Sequence, residues 1–240
     1  MPELPPPLPP AERTVGQLIA ETIRAYGKDF WRLLPLGIPL AIADQVSVRQ
    51  ASVVQMFVYW SALPLFVAGY VYACRRILDA RPNRTAVALA VLIWLPFPAL
   101  RSVYILPALA WLAFIGLAVP AAMVERLPLR ASLVRGRELG TADYPHALGS
   151  LAALVIVVGV AGNALSALLH TQGDTGQRIA VGLSDVVLSP LLFLGGALLY
   201  VDQAARVGLP KSIRRRSRDA DLHPPVDADA AGRPDAQVEP

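Results

Sequence analysis

The amino-acid sequence predicts an all-α fold: a polytopic helical membrane protein with about six transmembrane helices and two cytoplasmic amphipathic helices at the interface. Three observations carry this. Of the 240 residues, 55% are hydrophobic and only 17% charged, against roughly 25% charged and 45–50% apolar in soluble domains. Six apolar runs, at about residues 33–48, 53–74, 86–100, 103–124, 147–169 and 183–201, approach the roughly 20 residues that a helix rising about 1.5 Å per residue needs to cross about 30 Å of hydrocarbon. Nineteen of the 22 Lys and Arg lie before the first run, in alternate loops, or after the last run, while Arg49, Arg101 and Arg178 stand alone in the other loops. Cytoplasmic loops carry the excess of basic residues, so both termini are predicted to be cytoplasmic.

The same partition excludes other classes. The pieces between the runs are too short to bury a soluble core. The net charge of +4 belongs to loops that would face lipid headgroups, with no aromatic interleaving of the kind that stacks nucleic-acid bases. Cys74 is the single cysteine, so no internal disulfide and no cysteine metal knuckle can form.

Residues 1–13 are proline-rich and aperiodic and read as a disordered arm. Residues 14–32 form the first interfacial helix, opened by the capping box Thr14-Val15-Gly16-Gln17. Val15, Ile19, Ile23, Tyr26 and Phe30 make its apolar face, with Arg24 and Lys28 on the polar face as contacts for anionic headgroups. Pro35 and Pro39 interrupt the first run. That run and the third are short, and an alternative reading makes either one a re-entrant half-helix.

Asp44 is the first charge within a run, a position that is functional when buried in hydrocarbon and unremarkable when near headgroups. "LPFPALRS", residues 95–102, reads as an outer turn from which Arg101 snorkels. Glu125 closes the fourth run, and its expected partner is Arg126, Arg130 or an arginine of a neighbouring loop. From Pro128 a second interfacial helix follows, with Arg130, Arg135 and Arg137 flanking its apolar arc.

The fifth run holds Asn163 among Gly159, Gly162 and Ser166, a small-residue stripe in which the amide is expected to join helices, with ligand binding as the alternative. Residues 171–182 read as a polar outer loop. In the sixth run Pro190 and the pair Gly195-Gly196 predict a kink or close packing. Residues 206–240 are a tail, first basic, with Arg214, Arg215 and Arg216 as further lipid contacts, then disordered.

"VPAAMVE" followed by "ASLVRGRELGTADYPHALG" resembles the integral membrane proteins related to the membrane domain of glycerophosphoryl diester phosphodiesterases, through Pro120, Glu125, Ala131, Arg135, Leu139, Tyr144, Leu148 and Gly149. The resemblance implies a six-helix membrane domain, residues 14–205, in a bacterial plasma membrane. It implies no activity, since the phosphodiesterase chemistry belongs to a separate soluble domain. Gly136 and Tyr144 depart from the serine and tryptophan common in that family.

No nucleophile elbow, P-loop, dinucleotide fingerprint or HExxH motif is present. His146 and His170 bracket the fifth run, about 36 Å apart along a helix, too far to share a metal. No catalytic residue and no cofactor are therefore expected. Glu125, Arg135, Asp44 and Asn163 are the candidate polar positions. The expected function is a non-catalytic membrane scaffold, lipid-environment or accessory component, with a small-solute or lipid transporter as the alternative. Its expected partners are anionic lipids and possible membrane-protein neighbours, not nucleic acid.

Overall fold

The computed structural model describes residues 9–168 and 173–207, which are helical with no strand among them. Thirteen α-helices follow in order: α1 Val15–Lys28, α2 Phe30–Leu33, α3 Ile38–Ser47, α4 Ser52–Ser61, α5 Leu63–Leu78, α6 Arg84–Trp94, α7 Phe97–Val103, α8 Ile105–Ile115, α9 Ala118–Val124, α10 Leu129–Ala142, α11 Tyr144–Leu168, α12 Gly173–Leu188 and α13 Pro190–Val207. Residues 1–8, 169–172 and 208–240, and with them the tail arginines Arg214, Arg215 and Arg216, lie outside the described residues.

Four helical stretches are long and apolar enough to cross a membrane: Arg84–Val103, Ile105–Val124, Tyr144–Leu168 and Arg178–Val207. A fifth is the α4–α5 pair, which bends by 52° at Ala62, where Pro64 opens the second helix. Five of the six apolar runs thus coincide with such stretches. The first run is divided: a 3-10 turn at Leu34–Gly37 holds Pro35, and α3 after it has only 10 residues.

Two expected loops are helical instead. Residues 97–103 form α7, because Pro98 falls in the first turn, where a missing N–H costs nothing. Residues 173–182, expected as an outer loop, belong to α12, since no proline interrupts the chain until Pro190.

Broken helices free backbone carbonyls, and side chains from neighbouring helices answer them. Pro120 has no N–H to offer the carbonyl four residues earlier, that of Gly116. The Tyr70 hydroxyl on α5 donates to it at 3.2 Å in a buried contact. At the α6–α7 break, Trp111 Nε1 donates to the Ile93 carbonyl at 2.9 Å and Trp60 Nε1 to that of Leu95 at 3.0 Å. Asn83 works at two ends, capping α6 by accepting from the Ala86 N–H and donating to the Ala122 carbonyl at the end of α9.

Small residues set the closest helix contacts. On α10, Gly136 lies against Ala118 and Gly140 against the Phe114 carbonyl, so near that a Cβ on either would sit 2.5 or 2.3 Å from them. Gly195 meets the Leu154 side chain in the same way, which makes the Gly195-Gly196 pair a packing feature of α13.

The capping box at Thr14 forms with both of its bonds. Helix α1 then packs Leu18, Thr22 and Tyr26 inward against α11 and α13, leaving Ile23, Arg24 and Lys28 exposed. Burial raises the pKa of the Tyr26 hydroxyl above its ordinary value. Just before α1, Pro10–Glu12 forms a 3-10 turn, so the arm expected to be disordered through residue 13 is ordered at its end. The cause is a buried ion cluster: Arg13 pairs with Asp202 at 3.0 Å, and Arg206 pairs with Asp143 at 2.8 Å while donating to the Arg13 carbonyl at 2.5 Å.

Replacing Tyr70 by Phe should destabilise the protein by about 1–3 kcal/mol, the cost of a buried carbonyl left without a donor. In a Pro120→Ala background, where residue 120 regains its N–H, the loss should shrink. Thermal unfolding of the two single variants and the double variant in detergent measures this coupling.

Candidate functional site

Polar side chains gather at two opposite ends of the long helices. At the arginine-rich end, α9 stops at Glu125 because Arg126 adopts the left-handed conformation (φ 56°) that ends a helix. Pro128 then starts α10 in a new direction. Arg135, on the second turn of α10, points back: its Nε lies 3.0 and 3.1 Å from the two Glu125 oxygens, and its Nη1 2.7 Å from Glu138. The Tyr200 hydroxyl of α13 donates to Glu125 at 3.1 Å.

Glu125 therefore pairs with Arg135, not with Arg126 or Arg130. The one-turn offset places Arg135 over the carboxylate, while Arg130 on the first turn faces outward and is exposed. Glu138, with Glu125 behind it, raises the Arg135 pKa against the opposing effect of partial burial, so the guanidinium stays charged. Arg137 is exposed and lies over the Phe114 ring at 5.8 Å. Arg24 pairs with Glu21 on its own helix.

The other end contains a cavity of about 360 Å³ bounded by α3, α5, α6, α7, α8, α11, α12 and α13. One wall, near the mouth, is aromatic. Phe66 stacks between Tyr59 and Trp94, at centroid distances of 6.1 and 5.8 Å, and Phe193 closes on Trp94 at 5.9 Å. The shaft runs along α11 from Leu151 to Asn163, twelve residues or about 18 Å of helix.

At the mouth stand Asp44, Arg101, Asn163, Ser184 and Asp185. Asp44 accepts from the Tyr59 hydroxyl, and Arg101 Nη2 approaches it at 3.5 Å. The Arg101 guanidinium also lies 4.1 Å over the Tyr59 ring. The arginine expected to snorkel outward is thus turned inward, because a carboxylate and an aromatic face together satisfy it better than an exposed position would. Two polar atoms of the lining are buried without a partner, the acceptor Asp185 Oδ2 and the donor Trp94 Nε1.

Asn163 does not join helices in the expected way. Its amide donates to the Gly159 carbonyl of its own helix at 2.8 Å, and it is Gly162 beside it that lets α12 approach, a Cβ there lying 3.0 Å from Ser184 Oγ. Gly159 and Asn163 line the cavity and are also exposed. The cavity therefore opens sideways between α11 and the start of α8, where Ile105 is exposed as well.

Of the four candidate polar positions, the structure joins Glu125 to Arg135 and places Asp44 and Asn163 on one cavity. Sequence reasoning missed Asp185, Tyr59 and the ion cluster of Asp143, Asp202 and Arg206. Asp185 and Asp202 each lie within an apolar stretch, the same signal that singled out Asp44. No group of three or more metal-ligating side chains occurs among the described residues.

Among the described residues, these features define an all-helical protein with four or five apolar helices long enough to cross a membrane and an internal cavity between them. No protein-family model, curated protein or solved structure matches the chain.

A double-mutant cycle of Glu125→Gln and Arg135→Gln should give a coupling energy of about 1–2 kcal/mol, between the values for exposed and buried pairs. The same cycle with Arg130→Gln should give essentially none. Denaturation monitored by tryptophan fluorescence reads both.

Proposed function

We propose that this chain is a multi-pass membrane protein that binds an apolar or amphiphilic small molecule in its cavity, as a carrier or the ligand-binding subunit of one. The observation that carries the proposal is the cavity itself: an apolar shaft with a polar mouth, its volume within the range of about 300–1,000 Å³ common for small-molecule sites. A scaffold would have no use for it, so the transporter alternative becomes the preferred reading. A non-catalytic role remains part of it.

Six segments enter the membrane in this reading, the divided first run as a short or re-entrant element covered by α12. Its 3-10 turn supports that assignment, since irregular backbone at membrane depth has to be covered by protein, and Gly37 lies against the Val186 backbone. Membrane insertion is further supported by the outward faces. Ile156, Val160 and Leu168 of α11 are each more than 60% exposed, a pattern that would leave a large oily surface in water.

Both termini are cytoplasmic in this reading, with the basic loops as its support, and the resemblance noted above favours a bacterial plasma membrane. Arg24, Lys28, Arg130 and Arg137, all exposed at the arginine-rich end, meet anionic headgroups, joined by Arg214, Arg215 and Arg216 of the tail.

Two measurements test the reading. With Cys74 replaced by Ser, Thr175→Cys should react with an impermeant maleimide applied outside intact cells and Ser217→Cys should not; labelling of both overturns the topology. For the cavity, the informative variant is Gly159→Leu, since a Cβ at Gly159 meets nothing within 4 Å and losing a helical glycine stabilises by up to about 1 kcal/mol. The parent should retain about one equivalent of a small apolar molecule through purification and detergent exchange, detected by mass spectrometry of the extract. Gly159→Leu should retain none with its melting temperature undiminished, and equal retention overturns the assignment.

A further inference from the structure

We infer that the ligand of this cavity is a single-chain amphiphile with a cationic head: an ammonium group seated at Asp185, its chain lying along α11 toward Leu199. The inference rests on the cavity reading above and adds the chemistry of the head.

Charge decides the sign. Among the described residues, the lining carries two carboxyl groups, Asp44 and Asp185, and one basic side chain, Arg101. Arg101 is already engaged by Asp44 and the Tyr59 ring, and Asp44 is further held by the Tyr59 hydroxyl. The remaining carboxyl group, Asp185, has a buried oxygen, Oδ2, with no donor among the described residues. An unanswered acceptor in an apolar enclosure with more acidic than basic side chains calls for a ligand that supplies N–H donors and a positive charge. A carboxylate or phosphate head would instead meet Asp44 and Asp185, with no free cation among the described lining residues.

Size and access decide the rest. A volume of about 360 Å³ suits one alkyl chain and is too little to enclose both chains of a two-chain lipid. The cavity's side opening at Gly159 and Asn163 faces the surface that α11 presents to the surroundings. An amphiphile dissolved in a bilayer would reach the cavity laterally, tail first or head first, without crossing water.

The test uses the full chain in phosphatidylcholine nanodiscs with its four tryptophans kept, and Trp94→Phe as the reference whose signal is subtracted to isolate Trp94 in the cavity wall. Three probes with the same brominated twelve-carbon chain, ending in an ammonium, a hydroxyl or a carboxylate, are compared by quenching of Trp94. The ammonium probe should quench at concentrations at least tenfold lower than the other two. Asp185→Asn should remove that preference while leaving the alcohol's binding in place, and Gly159→Leu should abolish quenching by all three. Equal affinity for the three heads, preference for the carboxylate, or an ammonium preference that survives Asp185→Asn overturns the head assignment and leaves the cavity reading standing. No saturable quenching by any probe, or quenching that survives Gly159→Leu, overturns the cavity reading as well. Melting curves of each variant, with retained cooperative unfolding as the criterion, separate loss of binding from loss of fold.

Discussion

A backbone carbonyl that loses its helical partner away from water must find another donor, and this demand organises the molecule. Prolines and turns break α4 from α5, α6 from α7, α8 from α9 and α12 from α13. Each break tilts a segment and frees polar groups that cost several kcal/mol if left bare in hydrocarbon. Tyr70, Trp60, Trp111 and Asn83 reach across from neighbouring helices to the freed carbonyls of Gly116, Leu95, Ile93 and Ala122. The bends and the aromatic residues that permit them are therefore one feature. Because the helices bend, they do not close on one another along their whole length, and the cavity occupies the space left between the bent segments.

The two ends of the bundle use charge differently. At the arginine-rich end, Arg13, Arg135 and Arg206 are each spent on a carboxylate: Asp202, Glu125 and Asp143. These pairs tie the segment before α1, the α9–α10 turn and the start of α11 to neighbouring elements. Basic side chains left over, such as Arg130 and Lys28, point away from the protein. At the other end, among the described residues, the acidic side chains around the cavity outnumber the basic ones. Charge is paired to tie elements together in the first case and is left unequal around a cavity in the second.

Periodicity, run length and proline positions made most of the fold legible in the sequence. The capping box at Thr14, the interruption at Pro35 and the close packing at Gly195 follow from local chemistry, and local chemistry is what a sequence displays. Residues 95–102 read as a turn in the sequence because two prolines mask the tolerance of a helix's first turn for proline, and residues 171–182 as a loop because of their polar and glycine content; 97–102 and 173–182 are helical. The partner of Glu125 was left among several arginines, since choosing Arg135 requires the direction in which α10 leaves Arg126. Asp44 and Asn163 stood out as polar groups in apolar runs, but their meeting with Asp185 and Arg101 depends on bend angles that no run length encodes. Arg101 shows the limit most clearly: its charge was counted correctly, and its direction was set by Tyr59, forty-two positions earlier in the chain.

Gly136 and Gly140 bring α10 into backbone contact with Ala118 and Phe114, leaving no side-chain layer to absorb displacement between them. Interiors packed this closely transmit strain rather than yield to it. A sideways push on the surface helix would thus reach the α8–α9 bend undiminished, and with it the Gly116 carbonyl that Tyr70 holds at the cavity wall. The paired glycines act as a stiff mechanical joint between the protein's outer skin and its interior space.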